Sequence, residues 1–267
     1  MWKGGRMSGK MGICNICGDY KELSKEHVPP KSAFNKGRWT QYLYTDDQWA
    51  ENPLILPSTK RIYQGGVTFS TICGKCNNNT GGWYAGSFSD WCHYSMDILK
   101  RAKGKTSLYI PNELYPLKIS KQIITMFFAI NDSDFRKRHP KLVKFVLDKR
   151  SNPLPDEYKI WAYFKIDENL RYISESYIGN LKKGPKPIMI TEIAFPPFGF
   201  LLTSPVDKED IDHRLTNITH FSYFKFEEKR HFDLRLPTLP TVINIAGDFR
   251  SKSEIEEAIR SSNASRV

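Results

Sequence analysis

The sequence predicts an α+β protein: a small, cysteine-stapled N-terminal unit, then a helical segment, then a mixed α+β unit. Three observations predict it. Two C-x-x-C pairs, Cys14/Cys17 and Cys73/Cys76, fall within the first 76 residues. Apolar residues recur at helical spacing over 82–101 and 119–130. From residue 158 onward, β-branched and aromatic runs alternate with Gly, Pro and Asn, the pattern of strands and turns. At 267 residues the chain is longer than a typical domain of roughly 100 to 200. Its divisions are therefore read as 1–104, with a core at about 12–85, and 105–267. With 40% hydrophobic and 26% charged residues, a sizeable core forms without disulfides.

In order along the chain, Gln41 to Tyr44 and Val67 to Ile72 read as short β pieces. Trp83, Phe88, Trp91, Met96 and Leu99 place a helix over Gly82 to Arg101, broken near Gly86 and stopped by Gly104. Pro111 and Pro116 bracket a linker. Ile119, Ile123, Met126, Phe127 and Ile130 mark the next helix, and Pro140 starts another that runs through Leu142 to Leu147. Tyr158 to Ile166, Arg171 to Ile178, Ile188 to Phe195 and Phe200 to Thr203 read as strands, with Phe221 to Phe226 and Thr241 to Ile245 as two more. Asp207 to Leu215 and Ser253 to Ser261 read as short helices. Phe195 to Phe200 is an apolar turn that belongs to the core.

No apolar run approaches the roughly 18 residues that span a bilayer. The basic stretch Met1 to Met11 has no apolar segment behind it, unlike a secretory signal. A soluble, cytoplasmic protein is expected, with no membrane partner. The net charge is +11, and the excess is densest in front, where 15 basic residues face 8 acidic ones over 1–110. Such a surface supplies sequence-independent affinity for nucleic acid by displacing counterions, although the same charge also serves solubility.

In a reducing compartment, paired C-x-x-C motifs are metal ligands before they are disulfides. Each pair puts two thiolates on one turn, and four thiolates satisfy zinc's tetrahedral preference with no position left open, which makes the zinc structural. Cys92 reads as a small buried hydrophobe.

Glu26-His27-Val28-Pro29-Pro30 closely follows the first pair, and the second runs straight into Asn77-Asn78-Asn79. The order C-x-x-C, acid-His-apolar-x-Pro, C-x-x-C-Asn resembles the HNH endonucleases, specifically the branch whose ββα-metal core is clamped by a four-cysteine zinc. The resemblance covers roughly residues 12 to 85. It implies that Glu26, His27 and Asn77 make up a catalytic divalent-cation site, with His27 the general base. Carboxylate and carbonyl oxygens suit Mg²⁺ or Mn²⁺. A phosphodiester needs a base of near-neutral pKa and a cation to neutralise charge at the phosphate and the leaving 3′ oxygen, and this set supplies both. The implied activity is hydrolysis of DNA, with duplex as substrate. Nucleases of this type with an appended domain resemble restriction and phage-defence effectors, which would make 105–267 a unit for specificity, sensing or assembly into homo-oligomers.

The sequence departs from the family in two places. The middle Asn that orients the base-carrying loop would fall near Thr68, within Val67-Thr68-Phe69-Ser70-Thr71, where there is none. Thr68 or Ser70 would replace its hydrogen bonds, or Asn35 or Asn52 would enter from upstream. The second departure is an insertion over Ser32 to Gly66. It interleaves Lys36, Arg38, Lys60 and Arg61 with Trp39, Tyr42, Tyr44, Trp49 and Tyr63, directly after Lys31. These residues suit phosphate contact and base stacking, and equally a satellite core with solvated charges. His93 lies a helix length beyond the family's final position, and His139, His213, His220 and His231 have no ligand spacing. The competing expectation is a non-catalytic zinc-knuckle protein that binds nucleic acid, or one stapled for protein interaction.

Overall fold

Three antiparallel strands build the N-terminal sheet: β1 (Met11–Ile13), β2 (Tyr20–His27) and, after a two-stranded ribbon of β3 (Arg38–Leu43) and β4 (Thr59–Gln64), β5 (Thr68–Cys73). The computed structural model describes residues 10–43, 59–102, 104–166, 169–179, 187–205, 211–243 and 245–264, excepting the side chains of 41–43, 59–60 and 262–264. Helix α1 (Gly74–Thr80) leaves β5 directly. It passes through a π-helical turn at Gly81–Ala85 into α2 (Gly86–Arg101), so the break expected near Gly86 is a widened turn in one continuous run.

The second half follows as β6 (Ser107–Leu114), α3 (Pro116–Ile130), α4 (Phe135–Arg138), α5 (Pro140–Leu147), β7 (Lys159–Lys165), β8 (Arg171–Ile178), β9 (Ile188–Phe195), β10 (Phe198–Thr203), β11 (Thr216–Asn217), β12 (Arg230–Leu239) and α6 (Lys252–Ala264). The strands form one sheet in the order β6-β12-β7-β10-β9-β8, with β11 on β7. The protein is thus α+β, as the sequence predicts. Among the described residues, no helix is long and apolar enough to cross a membrane.

Helix α3 is the pillar of the molecule. Pro116 supplies a pre-set φ at its start, and its fourteen residues from Leu117 onward include Ile119, Ile123, Ile124, Phe127 and Phe128, all fully buried. Its polar residues Ser120, Lys121, Gln122 and Thr125 are buried too, so the helix is covered on nearly every side. The cover comes chiefly from a 3₁₀ turn at Thr219–Tyr223, the π-helical turn at Gly81–Ala85 and β5, with α2, α5, β8 and β9 closing the rest. Residues on both sides of Gly104 share this one buried cluster, from Cys14 to Leu236. Alternation divides the second sheet cleanly: Ile160, Ala162 and Phe164 of β7 face this core, while Trp161 and Tyr163 face a smaller one containing Phe249. Gly199 is needed at the sheet's centre, because a Cβ there would lie 1.9 Å from the Tyr163 ring. From α2, Trp91 stacks on Phe198 with ring centroids 4.1 Å apart.

Four expectations need correction. The stretch bracketed by Pro111 and Pro116 is no linker, because β6 occupies it and pairs with β12. Pro111 is tolerated there since β6 is the sheet's outermost strand. Phe221 to Phe226 is not a strand: a 3₁₀ turn spans Thr219–Tyr223, drawn in by bonds from the Thr219 amide to Asn217 Oδ1 and from Ser222 Oγ to the Thr219 carbonyl. The last strand is β12, not Thr241 to Ile245. Of the helix expected over Asp207 to Leu215, residues 207–210 lie outside the described residues and 211–215 form a turn.

Candidate functional site

The turn between β1 and β2 carries Cys14 and Cys17, closed by a bond from the Gly18 amide to the Cys14 carbonyl (2.9 Å), with Gly18 at φ 82°. Cys73 ends β5 and Cys76 sits in the first turn of α1. Strand pairing brings the two turns together, and all four Sγ atoms lie within 4.8 Å of one another. Cys17 Sγ and Cys73 Sγ are 3.8 Å apart, far beyond a disulfide bond. A hydrogen bond from Cys76 holds Cys14 low, while burial pushes Cys17 up and the Cys14 thiolate pushes Cys76 up. Four sulfurs this close could hold a metal ion, which would draw off their protons, and the all-sulfur donor set suits a closed structural site. Cys92 is apart from the cluster and buried, and burial raises its thiol well above the ordinary range.

The cluster is held by residues with no motif to announce them. Asn15, inside the first pair, donates to the carbonyls of Phe128 (2.9 Å) and Asn131 (2.7 Å), capping the end of α3. Thr71 Oγ1 donates to the Ala129 carbonyl (2.7 Å).

Glu26 and His27 are the last two residues of β2, paired with Phe69 and Thr68 across an irregularity in the ladder. Glu26 is 8% exposed, and burial pushes its carboxyl up to about 7. Among the described residues it has no hydrogen-bond or ion-pair partner. Asn77 lies in α1, directly after Cys76. Its Nδ2 donates to Ser24 Oγ (3.0 Å), which donates to the Ile72 carbonyl (2.9 Å). This chain fixes the amide orientation, and among the described residues Oδ1 has no hydrogen-bond partner. The same bonds also tie Asn77 to β2 at Ser24, on the other side of the ladder irregularity from Glu26. Asn77 is not a helix cap, since Cys73 holds the N-cap position.

His27 Nε2 donates to the Gly65 carbonyl at 3.2 Å. That bond selects the Nε2–H tautomer and leaves the Nδ1 lone pair to accept a proton. The loop on either side is over-determined. Asn35 is fully buried; its Nδ2 donates to the carbonyls of Pro29 (2.8 Å) and Val67 (2.9 Å), and its Oδ1 accepts from the Val67 amide (2.7 Å). Gly66, at φ 107°, has no room for a side chain: a Cβ would lie 2.3 Å from the Asn35 carbonyl oxygen and 3.0 Å from the His27 ring. Phe34 takes a left-handed φ of 66°, a conformation that costs about 1 kcal/mol or more and persists only under outside restraint. Its ring lies against His93 (4.5 Å), whose Nε2 is 2.8 Å from the Ser32 carbonyl. From the second sheet, Tyr172 donates to the Val28 carbonyl at 2.7 Å. Of the four residues weighed for the missing middle Asn, Asn35 makes the bonds. Among the described residues, Thr68 stands opposite His27 without a side-chain bond to the loop and Ser70 makes none either; Asn52 lies outside the described residues.

Lys31, Lys36, Arg38 and Arg61 are exposed, with the Arg61 guanidinium 5.0 Å from the Tyr63 ring centroid. Lys60 contributes its backbone to β4, and its side chain is outside the described residues. Trp39 packs on Phe195 with centroids 4.6 Å apart, so this member of the aromatic set serves packing. Comparisons with protein-family models, with curated proteins and with solved structures found no match to this chain.

Proposed function

We propose that the chain is a metal-dependent endonuclease of the HNH type that hydrolyses phosphodiester bonds of duplex DNA. One observation carries the reading. A strand ending on Glu26-His27 pairs with a strand that runs through Cys73 straight into the helix bearing Asn77, and four cysteine sulfurs clasp the root of the arrangement.

In this reading the four cysteines hold a structural zinc. His27 Nδ1 takes a proton from water as the water oxygen attacks phosphorus; the bond from phosphorus to the 3′ oxygen breaks and the leaving oxygen takes a proton from solvent water. Glu26 and Asn77 Oδ1 would hold Mg²⁺ or Mn²⁺, which neutralises charge on the phosphate and the leaving oxygen when bound. Gly65 keeps the His27 ring in the productive tautomer, and Asn35 keeps Gly65 and Gly66 in place through Val67. The basic residues Lys31, Lys36, Arg38, Lys60 and Arg61 supply phosphate contacts. A restriction or phage-defence setting, with 105–267 as the specificity, sensing or assembly unit, follows from the resemblance.

Supercoiled plasmid incubated with the purified chain and Mg²⁺ or Mn²⁺ is expected to become nicked or linear, and to stay supercoiled without divalent cation. Salt-sensitive binding with no turnover under any of these conditions would identify a zinc-knuckle binding protein instead.

A further inference from the structure

The β3–β4 ribbon is the part of the molecule least explained by folding. Its strands pair in six steps from Arg38↔Gln64 to Leu43↔Thr59, and among the described residues neither strand joins another sheet. Its twelve residues include Arg38, Lys60 and Arg61 but no Asp or Glu. Among the described residues, Arg38 and Arg61 have no carboxylate partner. An isolated two-stranded ribbon is marginal in water, so its persistence depends on what it touches at its root.

Cross-strand pairs share a face, and alternation therefore sorts the side chains. Trp39 and Tyr63 lie on one face, which Trp39 seats on Phe195. Arg38, Gln64, Thr40 and Ile62 lie on the other, where Arg38 and Gln64 are exposed and Ile62 is 41% exposed. An arginine, a glutamine and two methyl-bearing side chains are the groups that read guanine, adenine and thymine at base edges in the major groove. An exposed isoleucine on an otherwise polar face gains nothing from water. The root is fixed to the candidate base: the Gly65 and Gly66 amides donate to the Gly37 carbonyl (2.7 and 3.1 Å), and the Gly65 carbonyl takes His27 Nε2.

We propose that the β3–β4 ribbon seats the substrate by entering the major groove of B-form DNA, with Arg38, Thr40, Ile62 and Gln64 toward the base edges and Arg61 on a phosphate. The inference rests on the endonuclease reading and narrows its substrate. A groove about 12 Å wide admits a two-stranded ribbon. The deep, narrow major groove of A-form RNA does not, and a single strand offers no groove.

The test is binding by the full-length chain, without added divalent cation, to a duplex DNA, the RNA duplex of the same sequence and the single strand. A minor-groove ligand and guanine N7 methylation serve as probes. Tight binding to duplex DNA is expected, insensitive to the minor-groove ligand and weakened by N7 methylation at one or more positions. The double variant Arg38→Ala, Gln64→Ala should bind the preferred duplex about 10- to 100-fold more weakly. Arg61→Ala should weaken binding to all duplexes alike and reduce the magnitude of the salt slope by about one. Because these side chains are exposed, unchanged metal content and circular dichroism certify the fold of each variant. Equal binding to RNA or single strands, competition by the minor-groove ligand, unchanged affinity in the double variant, or no binding at all would each overturn the proposal. Binding through the ribbon with no cutting would refute the endonuclease reading and leave the ribbon standing. Cutting by the double variant at wild-type KM would do the reverse.

Discussion

Asn35 and Val67 exchange a reciprocal pair of hydrogen bonds across 32 residues of chain, the amide side chain of one closing on the backbone N–H and C=O of the other at 2.7 and 2.9 Å. Since Val67 follows the two glycines that flank the His27 ring, this pair sets where the ring's carbonyl partner stands. Asn35→Ala removes three buried bonds and takes the side-chain partner from the Val67 amide and the Pro29 carbonyl, while the Val67 carbonyl keeps the Val28 amide. It should cost about 2–4 kcal/mol in urea denaturation. If Asn35 positions His27, kcat should also fall at least 10-fold at a temperature where the variant remains folded, with DNA affinity little changed.

Tyr172 reaches the same loop from the opposite side, its hydroxyl on the Val28 carbonyl and its ring 5.5 Å from Phe69. Tyr172→Phe keeps the ring and removes one bond to a buried carbonyl. A loss of about 1–2 kcal/mol is expected. Under the endonuclease reading the variant should also show a lower kcat at unchanged KM, measured by steady-state cleavage.

The four-sulfur cluster predicts one tightly held metal per chain. Metal analysis should find close to one equivalent of zinc, lost together with thermal stability when Cys76 is replaced by Ser or when a strong chelator strips the ion, because metal binding energy here is folding energy. Cys92→Ser, away from the cluster, should retain the full equivalent.

Glu175 predicts a pH dependence. Its burial favours the neutral acid, but hydrogen bonds from Arg138 Nε (2.6 Å), Tyr177 (2.8 Å) and His139 Nε2 (3.0 Å) outweigh that and hold the carboxyl below its ordinary value. A depressed carboxylate stabilises the fold above its unfolded pKa, and that stability is lost as pH falls through the folded value. Glu175→Gln should therefore cost about 2–3 kcal/mol near pH 7. The gap between variant and wild type should narrow in acid, below about pH 4.3. Thermal midpoints of both proteins across pH 3 to 7 would show it.

What was legible in the sequence was what local chemistry specifies. Thiolate spacing placed the metal cluster, and Arg171–Ile178 and Ile188–Phe195 are strands to the residue because β-branched runs end there in turn formers. Two of the misread elements, β6 and β12, share a cause, since each is decided by neighbours distant in sequence. Pro111 argues against a strand until β6 proves to be an edge. In β12 the apolar alternation of Phe232, Leu234 and Leu236 was hidden among Arg230, His231, Asp233 and Arg235. At the candidate site, Glu26, His27 and Asn77 were visible as a motif. Asn35 was visible only as one of several asparagines, because what distinguishes it is complete burial and three bonds. Tyr172 had no signal at all, its partner being 144 residues away.

The central claim, that His27 is the base of a DNA-cutting site, is tested most directly by plasmid cleavage with His27→Ala at saturating Mn²⁺. His27 is at the end of β2 with its ring on the Gly65 carbonyl, so the substitution should leave zinc content and the thermal transition nearly unchanged. The account predicts a fall in cleavage rate of about 100-fold or more, the contribution of a positioned general base. Cutting by a zinc-loaded, folded His27→Ala protein at the wild-type rate would contradict it.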